Sequence, residues 1–491
     1  MELLDTSIVN VSLPHIGGSL GASVNEATWV LTSYLVANAI VVPLGGWLSH
    51  RFGRKRLILS TITGFTISSV LCGLAPTLPL LVLFRVLQGL TGGGLQPLSQ
   101  SVLYDEFPKE KWQTAMSFWA MGVILAPTLG PTLGGWITET WSWHWIFYLN
   151  VPFGILSWRM VSRFVDDPSH MGDGKAAKFD GIGIAFLALG MAAMQIVLDQ
   201  GEQKDWFQST PICWLTAIAI VFTILLIVRE LRAPNPFLKV GLFKDFTFAM
   251  GSIAGFLMYA VLFGSIILVP LFMEEVLGWD AMTTGWNMGA RGIGSFSAII
   301  LQWIPGFDKL KKSRWTVILG FSVAGIIFVY GYGRMNASTH GWDIFWPQAV
   351  QGLFTTLAFM PLVTVATSNI EDKDRTYATS LYGMVRNLGS SVGVSFVAIF
   401  LDKRAQIHQA ALAAQGFPSN PALVRMTGGL KNYFMLQGAD GHLAAYRAYV
   451  MAYRELLIQA NMLSFIDAFT FFGWMIIAVA VGLCFAKLKH V

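Results

Sequence analysis

The residues of this chain that could do chemistry are few, and they stand where water is scarce. Asp5, Arg85, Arg291 and Arg386 each interrupt a long apolar stretch. At the helical rise, Asp5 lies roughly 16 Å from the far end of its stretch, Arg85 about 12 Å inside its own, and Arg291 and Arg386 about 16 Å inside theirs. A carboxylate so placed changes its proton affinity with its exposure and its distance from a cation. That is the chemistry of taking up and releasing a proton, not of breaking a bond. The expected couple is Asp5, carrying the proton, with Arg85 tuning or relaying it; the competing reading makes Asp5 a structural partner of a neighbouring helix. Arg85 is followed by Gln88-Gly89 and Gly92-Gly93-Gly94, which suit close packing around a cavity, whereas an arginine that merely snorkels needs no such neighbours. Arg291 and Arg386 either neutralise an acid, contact an anionic group of a ligand, or pair with backbone carbonyls. Tyr34, Trp119 and Tyr382, with Tyr259 and Met288, are candidates to line an adaptable apolar cavity, although packing and interfacial belts use the same residue types. Asp467 lies only about 8 Å into its stretch, where surface hydration accounts for it.

The elements that must position these side chains are membrane helices. Of 491 residues, 54% are hydrophobic and 12% charged, and mean hydropathy is +0.57; soluble chains carry about 25% charge. Apolar stretches fall near 1–17, 27–49, 57–75, 78–103, 114–138, 144–164, 181–199, 211–229, 246–273, 282–305, 315–333, 342–367, 376–401 and 463–486. Their continuous apolarity predicts fourteen transmembrane helices rather than a barrel. Alternate loops on one side hold 22 Lys and Arg, against two in the short loops of the other. That asymmetry predicts both termini in the cytoplasm. The net charge of +5 is therefore a membrane-orientation signal, and no nucleic-acid partner is expected. From Met1 to Ile16 a helix covers roughly 22–24 Å, short of a core about 30 Å thick. Either the chain starts upstream or this helix stops short of the cytoplasmic face. The segment 402–462 lies outside, with helical patterns from Arg404 and through 444–453, and reads as an amphipathic cap on the outer leaflet or as a docking surface.

No phosphate-cradling GxxxxGK[ST], HExxH or Ser/His/Asp set is present, so neither ATP, a cofactor nor a metal is expected. The loops are too short to house an enzyme. Instead the chain carries ordered motifs: Leu4-Asp5-Thr-Ser-Ile-Val-Asn10-Val-Ser-Leu-Pro14, a Gly45–Arg56 loop with Gly46, Arg51, Gly53 and Arg54, the Arg85–Gly94 stretch, and Gly130-Pro131-Thr-Leu-Gly134-Gly135. Ser142-Trp-His-Trp-Ile-Phe-Tyr-Leu-Asn150-Val-Pro152 and Val385-Arg386-Asn-Leu-Gly389-Ser-Ser-Val-Gly393 follow.

In that order the motifs resemble the fourteen-span drug:proton antiporters of the major facilitator superfamily, the EmrB/QacA type, over nearly the whole chain. The resemblance implies two six-helix bundles, at 1–164 and 246–491, with helices 7 and 8 inserted at 165–245. It implies alternating access around a midplane site, and export rather than import, because the Gly-Pro-Gly-Gly element is associated with antiporters. His50 stands where the superfamily usually has an Asp serving an inter-bundle lock, and His144 where an Arg is common. The 306–314 loop is only loosely similar to its first-half counterpart. The expected protein is a proton-coupled exporter of small amphipathic or toxic compounds in a bacterial inner membrane. Alternatives are a dedicated exporter of a siderophore, lipid or metabolite and, in a different class, a membrane enzyme or receptor. Resemblance to the two-membrane branch implies a membrane-fusion adaptor and outer-membrane channel as partners, reached through 402–462.

Overall fold

The structure, a computed structural model, describes residues 1–108, 111–166, 180–233, 236–301, 314–371, 374–414 and 421–485. The basic segment around Lys309–Lys312, the lysines at 109, 175, 178, 373, 487 and 489, and most of the turn expected at 416–421 lie outside the described residues. Each of the fourteen apolar stretches carries a helix. These are α1 Glu2–Ser19, α2 Trp29–Phe52, α3 Arg54–Gly73, α4 Leu78–Glu106, α5 Trp112–Thr140, α6 Asn150–Phe164, α7 Gly181–Gln200, α8 Thr210–Arg232, α9 Phe246–Val276, α10 Ala281–Leu301, α11 Trp315–Arg334, α12 Gly341–Thr367, α13 Arg375–Ala414 and α14 Gly441–Phe485. Among the described residues, nine helices, or ten counting the bent α5, are long and apolar enough to cross a membrane.

Breaks inside these helices follow from residue type. Pro43 lies in a single tighter turn, Val42–Leu44, within α2. In α5, Pro127 and Pro131 remove two backbone donors, and the helix bends by 43° between Thr114–Pro127 and Leu129–Thr140. The carbonyl of Pro127, which the missing N–H of Pro131 leaves free, accepts a hydrogen bond from Ser7 Oγ of α1 at 2.9 Å. Beside it, a Cβ on Gly130 would collide with the Ser7 side chain, and one on Gly134 would sit 3.0 Å from the Ile8 carbonyl. The Gly-Pro-Gly-Gly element is thus the seat of α1. Gly53 has φ +84°, a left-handed turn open to glycine, and it reverses the chain from α2 into α3. Gly389 and Gly393 on α13 lie against the carbonyls of Phe256 and Ala260 on α9.

The inserted helices are clamped to each other by Asp180. Its carboxylate caps α7 at Gly183 N (2.9 Å) and accepts from Arg229 Nε and Nη2 of α8 at 2.8 and 2.7 Å. The Arg229 hydrogen bonds hold the Asp180 carboxyl below its ordinary range. Helix α7 touches both halves of the molecule. Gln200 Nε2 donates to Thr28, just before α2, and to Thr32 on α2 at 3.3 and 3.1 Å, and Ser391 of α13 donates to Gln195 at 3.1 Å. Helix α8 lies outside it and exposes Trp214, Ile220, Val221, Ile224 and Leu225, an apolar face suited to lipid.

The segment 402–462 differs from the expected cap. Helix α13 runs unbroken to Ala414 and α14 begins at Gly441, so both spans continue beyond the apolar stretches, with a helix Pro421–Leu436 between them. No proline or glycine interrupts 402–414 or 442–462, and nothing else stops either helix. At the base of this projection Asp467 accepts from Arg404 Nε and His408 Nε2, both at 2.6 Å. Asp467 is therefore an ion-pair partner tying α13 to α14, not a carboxylate satisfied by surface water.

The seats predict opposite outcomes for two glycines. Gly393→Ala should cost about 1–3 kcal/mol of stability through overpacking, because the Ala260 carbonyl cannot rotate away. Gly135→Ala, with nothing within 4 Å of the added Cβ, should leave the melting temperature of the purified protein unchanged or higher. Thermal unfolding in detergent checks both.

Candidate functional site

Asp5 sits in the first turns of α1 and is fully enclosed. Its Oδ2 accepts from Arg85 Nη1 at 2.5 Å, and its Oδ1 from Asn150 Nδ2 at 2.8 Å and Gln88 Nε2 at 3.2 Å. Arg85 and Gln88, three apart on α4, share a helix face, and Arg85 Nη1 also reaches Gln88 Oε1 at 2.7 Å. Arg85 Nε donates to the Val30 carbonyl of α2 at 3.0 Å. That contact requires two backbones to approach closely, and Gly89 permits it: a Cβ there would be 2.5 Å from the Tyr34 carbonyl. Asn150 extends the network to Ser69 on α3 at 3.0 Å. The Arg85 guanidinium lies 4.3 Å from the Tyr34 ring centroid, a cation–π contact. Arg85 Nη2 alone is left without a hydrogen-bond partner among the described residues.

A cavity of about 350 Å³ lies on the other side of Tyr34. Its wall is drawn from α1, α2, α4, α5, α7, α9 and α13, and Tyr34 and Arg386 both line it. Glu2, Asn38, Gln96, Gly383 and Arg386 surround one end. Thr28, Glu202, Gln203, Ile267 and Ala398 surround the other, where Gln203 is solvent-exposed. The first end is closed by contacts between the two halves of the chain. Arg54, 2% exposed, pairs with Asp105, and Arg375 stands 3.7 Å from the same carboxylate. Ser101 meets Thr376 at 3.0 Å, and His50 stacks on Tyr377 at 4.8 Å. A Cβ on Gly46 would lie 2.9 Å from the Tyr377 Cα. The lock for which His50 lacks a carboxylate is thus built from Arg54, Asp105 and Arg375 instead. Arg51 faces solvent outside it.

The other expected residues separate by role. Gln88 belongs to the Asp5 network and does not line the cavity. Arg291 is 1% exposed and is held by neutral groups: Gln348 Oε1 at 2.8 Å, Ser265 Oγ at 3.2 Å and Gln351 Oε1 at 3.2 Å. Tyr332 donates to the same Gln351 at 2.8 Å. Arg386 is ringed by Trp119, Tyr259 and Tyr382 at 5.1, 4.9 and 5.4 Å; of these rings only Tyr259 also lines the cavity. Sequence reasoning missed Glu2, whose Oε1 accepts from Asn38 Nδ2 at 2.5 Å. It stands three residues before Asp5, nearly one helical turn away, so the two acids are neighbours around α1, and Glu2 lines the cavity while Asp5 does not. It also missed Asp199 on α7, which accepts from Thr32 and lines the cavity.

The sequence profile of the Major Facilitator Superfamily matches residues 1–394, and the chain belongs to this superfamily. It is 35% identical over 481 residues to the "Multidrug export protein EmrB" of Haemophilus influenzae, covering 97% of this chain and 92% of the relative. It is 37% identical over 434 residues to the "Fatty acid resistance protein FarB" of Neisseria gonorrhoeae, covering 86% and 82%. Its fold is shared with the human organic anion transporter MFSD10, with a TM-score of 0.57 at 11% identity over 96% of each chain. Family and fold are those of transporters.

Removing one partner of a buried ion pair strands the other. Arg85→Leu should therefore destabilise the protein by about 3–5 kcal/mol. Adding Asp5→Asn to that variant should recover most of the loss, which unfolding midpoints of the two purified variants will show.

Proposed function

We propose that this chain is a proton-driven exporter of small amphipathic or toxic compounds, working by alternating access in a bacterial inner membrane. Residues 1–164 and 246–491 form the two moving bundles, and 165–245 carries the inserted pair. Both termini face the cytoplasm, so the end locked by Arg54, Asp105 and Arg375 is cytoplasmic and the cavity faces outward. The observation that carries this reading is the Asp5–Arg85 pair, sealed inside the first bundle one aromatic ring away from the cavity.

In this mechanism Asp5 takes a proton from the outside and releases it inside. Protonation leaves Arg85 without its counter-charge and weakens the bonds that join α1 to α4 and α6. Helix α1 then shifts on the Gly130 and Gly134 seat of α5, and the bundles rock. Tyr34 passes the change to the cavity, because it touches both Arg85 and the space where cargo sits. The protein is not an enzyme; its work is translocation. The name of the Haemophilus relative supports drugs as cargo, and that of the gonococcal relative supports fatty acids. The second reading, a dedicated exporter of a lipid-like compound, is favoured by the gonococcal name.

The projection built on 402–462 is the docking site for a membrane-fusion adaptor that leads to an outer-membrane channel. Its support is that two membrane helices continue beyond their apolar stretches and meet there, Gln409 Nε2 donating to the Tyr453 hydroxyl at 2.9 Å. Deleting 405–460 should abolish adaptor capture in a pull-down while the chain still inserts; unchanged capture counts against the docking site. In proteoliposomes, Asp5→Asn should eliminate the collapse of an imposed ΔpH that cargo causes in the unaltered chain, with insertion intact. Undiminished collapse would remove Asp5 from the mechanism.

A further inference from the structure

Two charged groups on the cavity wall keep unspent hydrogen-bonding capacity, and both lie at its closed end. Glu2 of α1 is 8% exposed; Asn38 serves its Oε1, its other polar or charged neighbours are Gln96, the Met1 amino group and Arg386, and Oε2 has no hydrogen-bond partner among the described residues. Arg386 of α13 is 2% exposed, and its Nε and Nη1 have none either. The three rings around Arg386 attract its charge, yet their faces do not accept the in-plane N–H bonds of the guanidinium edge. Buried polar atoms are almost always paired, so an orphaned acceptor and an orphaned donor edge on two residues that line one cavity ask for an occupant. The remaining carboxylates on the wall are already engaged. Asp199 accepts from Thr32 and Gln200, and Glu202 accepts from Trp206 Nε1 at 2.7 Å.

We propose that the closed end of the cavity is a recognition site for amphoteric cargo. These are small aromatic or amphipathic compounds carrying an acidic group, bound by Arg386, and a basic group, bound by Glu2. An anionic compound would satisfy Arg386 and face the Glu2 carboxylate unpaired; a cationic one would do the reverse, so each single charge is disfavoured by the opposite partner. Tyr259 and Phe263, both on the wall, supply apolar faces for the body of the molecule. Glu2 belongs to the first half and Arg386 to the second, so such a cargo joins the two halves through its own charges. This inference rests on reading the cavity as the cargo site.

The test is equilibrium dialysis of the full chain in lipid nanodiscs at neutral pH, with empty nanodiscs as the blank. The probes are para-aminomethylbenzoate, para-methylbenzoate and para-methylbenzylamine, together with their biphenyl homologues as a longer spacer. With at least one spacer the amphoteric probe should bind about tenfold or more tightly than either singly charged analogue. Glu2→Gln should remove its advantage over the anion, and Arg386→Gln its advantage over the cation. The inference is overturned if a singly charged analogue binds the unaltered chain as tightly as the amphoteric probe at both spacers. Absence of binding by every probe overturns it too. The unaltered chain decides the matter even if a variant misfolds. No proton gradient is present in dialysis, so a failure of proton coupling leaves these affinities untouched, and a failure here leaves the ΔpH result standing.

Discussion

A carboxylate and a guanidinium enclosed together, both side chains without accessible surface, constrain everything built around them. Neither Asp5 nor Arg85 is tolerable there alone, and their attraction is strong because the medium is poor at screening. The surrounding sequence is what such a pair needs. Asn150 and Gln88 satisfy the second carboxylate oxygen, Val30 offers its carbonyl to Nε, and Gly89 lets two backbones close around the guanidinium. Five helices meet on one ion pair, so any change in its charge is felt by all of them.

The pair is separated from the cavity by a single ring. Direct competition between proton and cargo for one carboxylate is therefore not what this geometry offers; in the mechanism we propose, coupling runs through Tyr34 and through the position of α1. Helix α1 is suited to that task because it rests on glycines and on a carbonyl freed by Pro131, contacts that permit sliding better than interlocked side chains. Its first turn presents Glu2 to the cavity and Asp5 to the interior, so one helix faces both charge systems. Helix α7, bonded to α2 on one side and α13 on the other, spans the two halves and supplies part of the same wall.

Much of this was legible from residue order. Fourteen apolar stretches are a statement about hydrophobic thickness, and each became a helix. Asp5 and Arg85 were paired in advance because deep charges are costly and need partners. Other features were out of reach for physical reasons. Arg291 and Arg386 look alike in sequence, but one is hydrogen-bonded by glutamines of α12 and the other is ringed by aromatic side chains that leave its Nε and Nη1 without acceptors among the described residues, and only packing decides which. Glu2 is legible in principle from its spacing to Asp5, but at the edge of its apolar stretch it carries no signal of depth. In sequence, 402–462 reads as a surface cap or a docking surface because its helices lose apolarity beyond the apolar stretches; continuity of helix depends on the absence of breakers, which hydropathy does not report.

The central claim is that Asp5 is the group that gains and loses the transported proton. Infrared difference spectroscopy of the reconstituted protein on acidification tests it most directly. The account predicts a protonated-carboxyl band that is present in the unaltered chain and in Glu2→Gln, and missing from Asp5→Asn. The same band persisting undiminished in Asp5→Asn would contradict it.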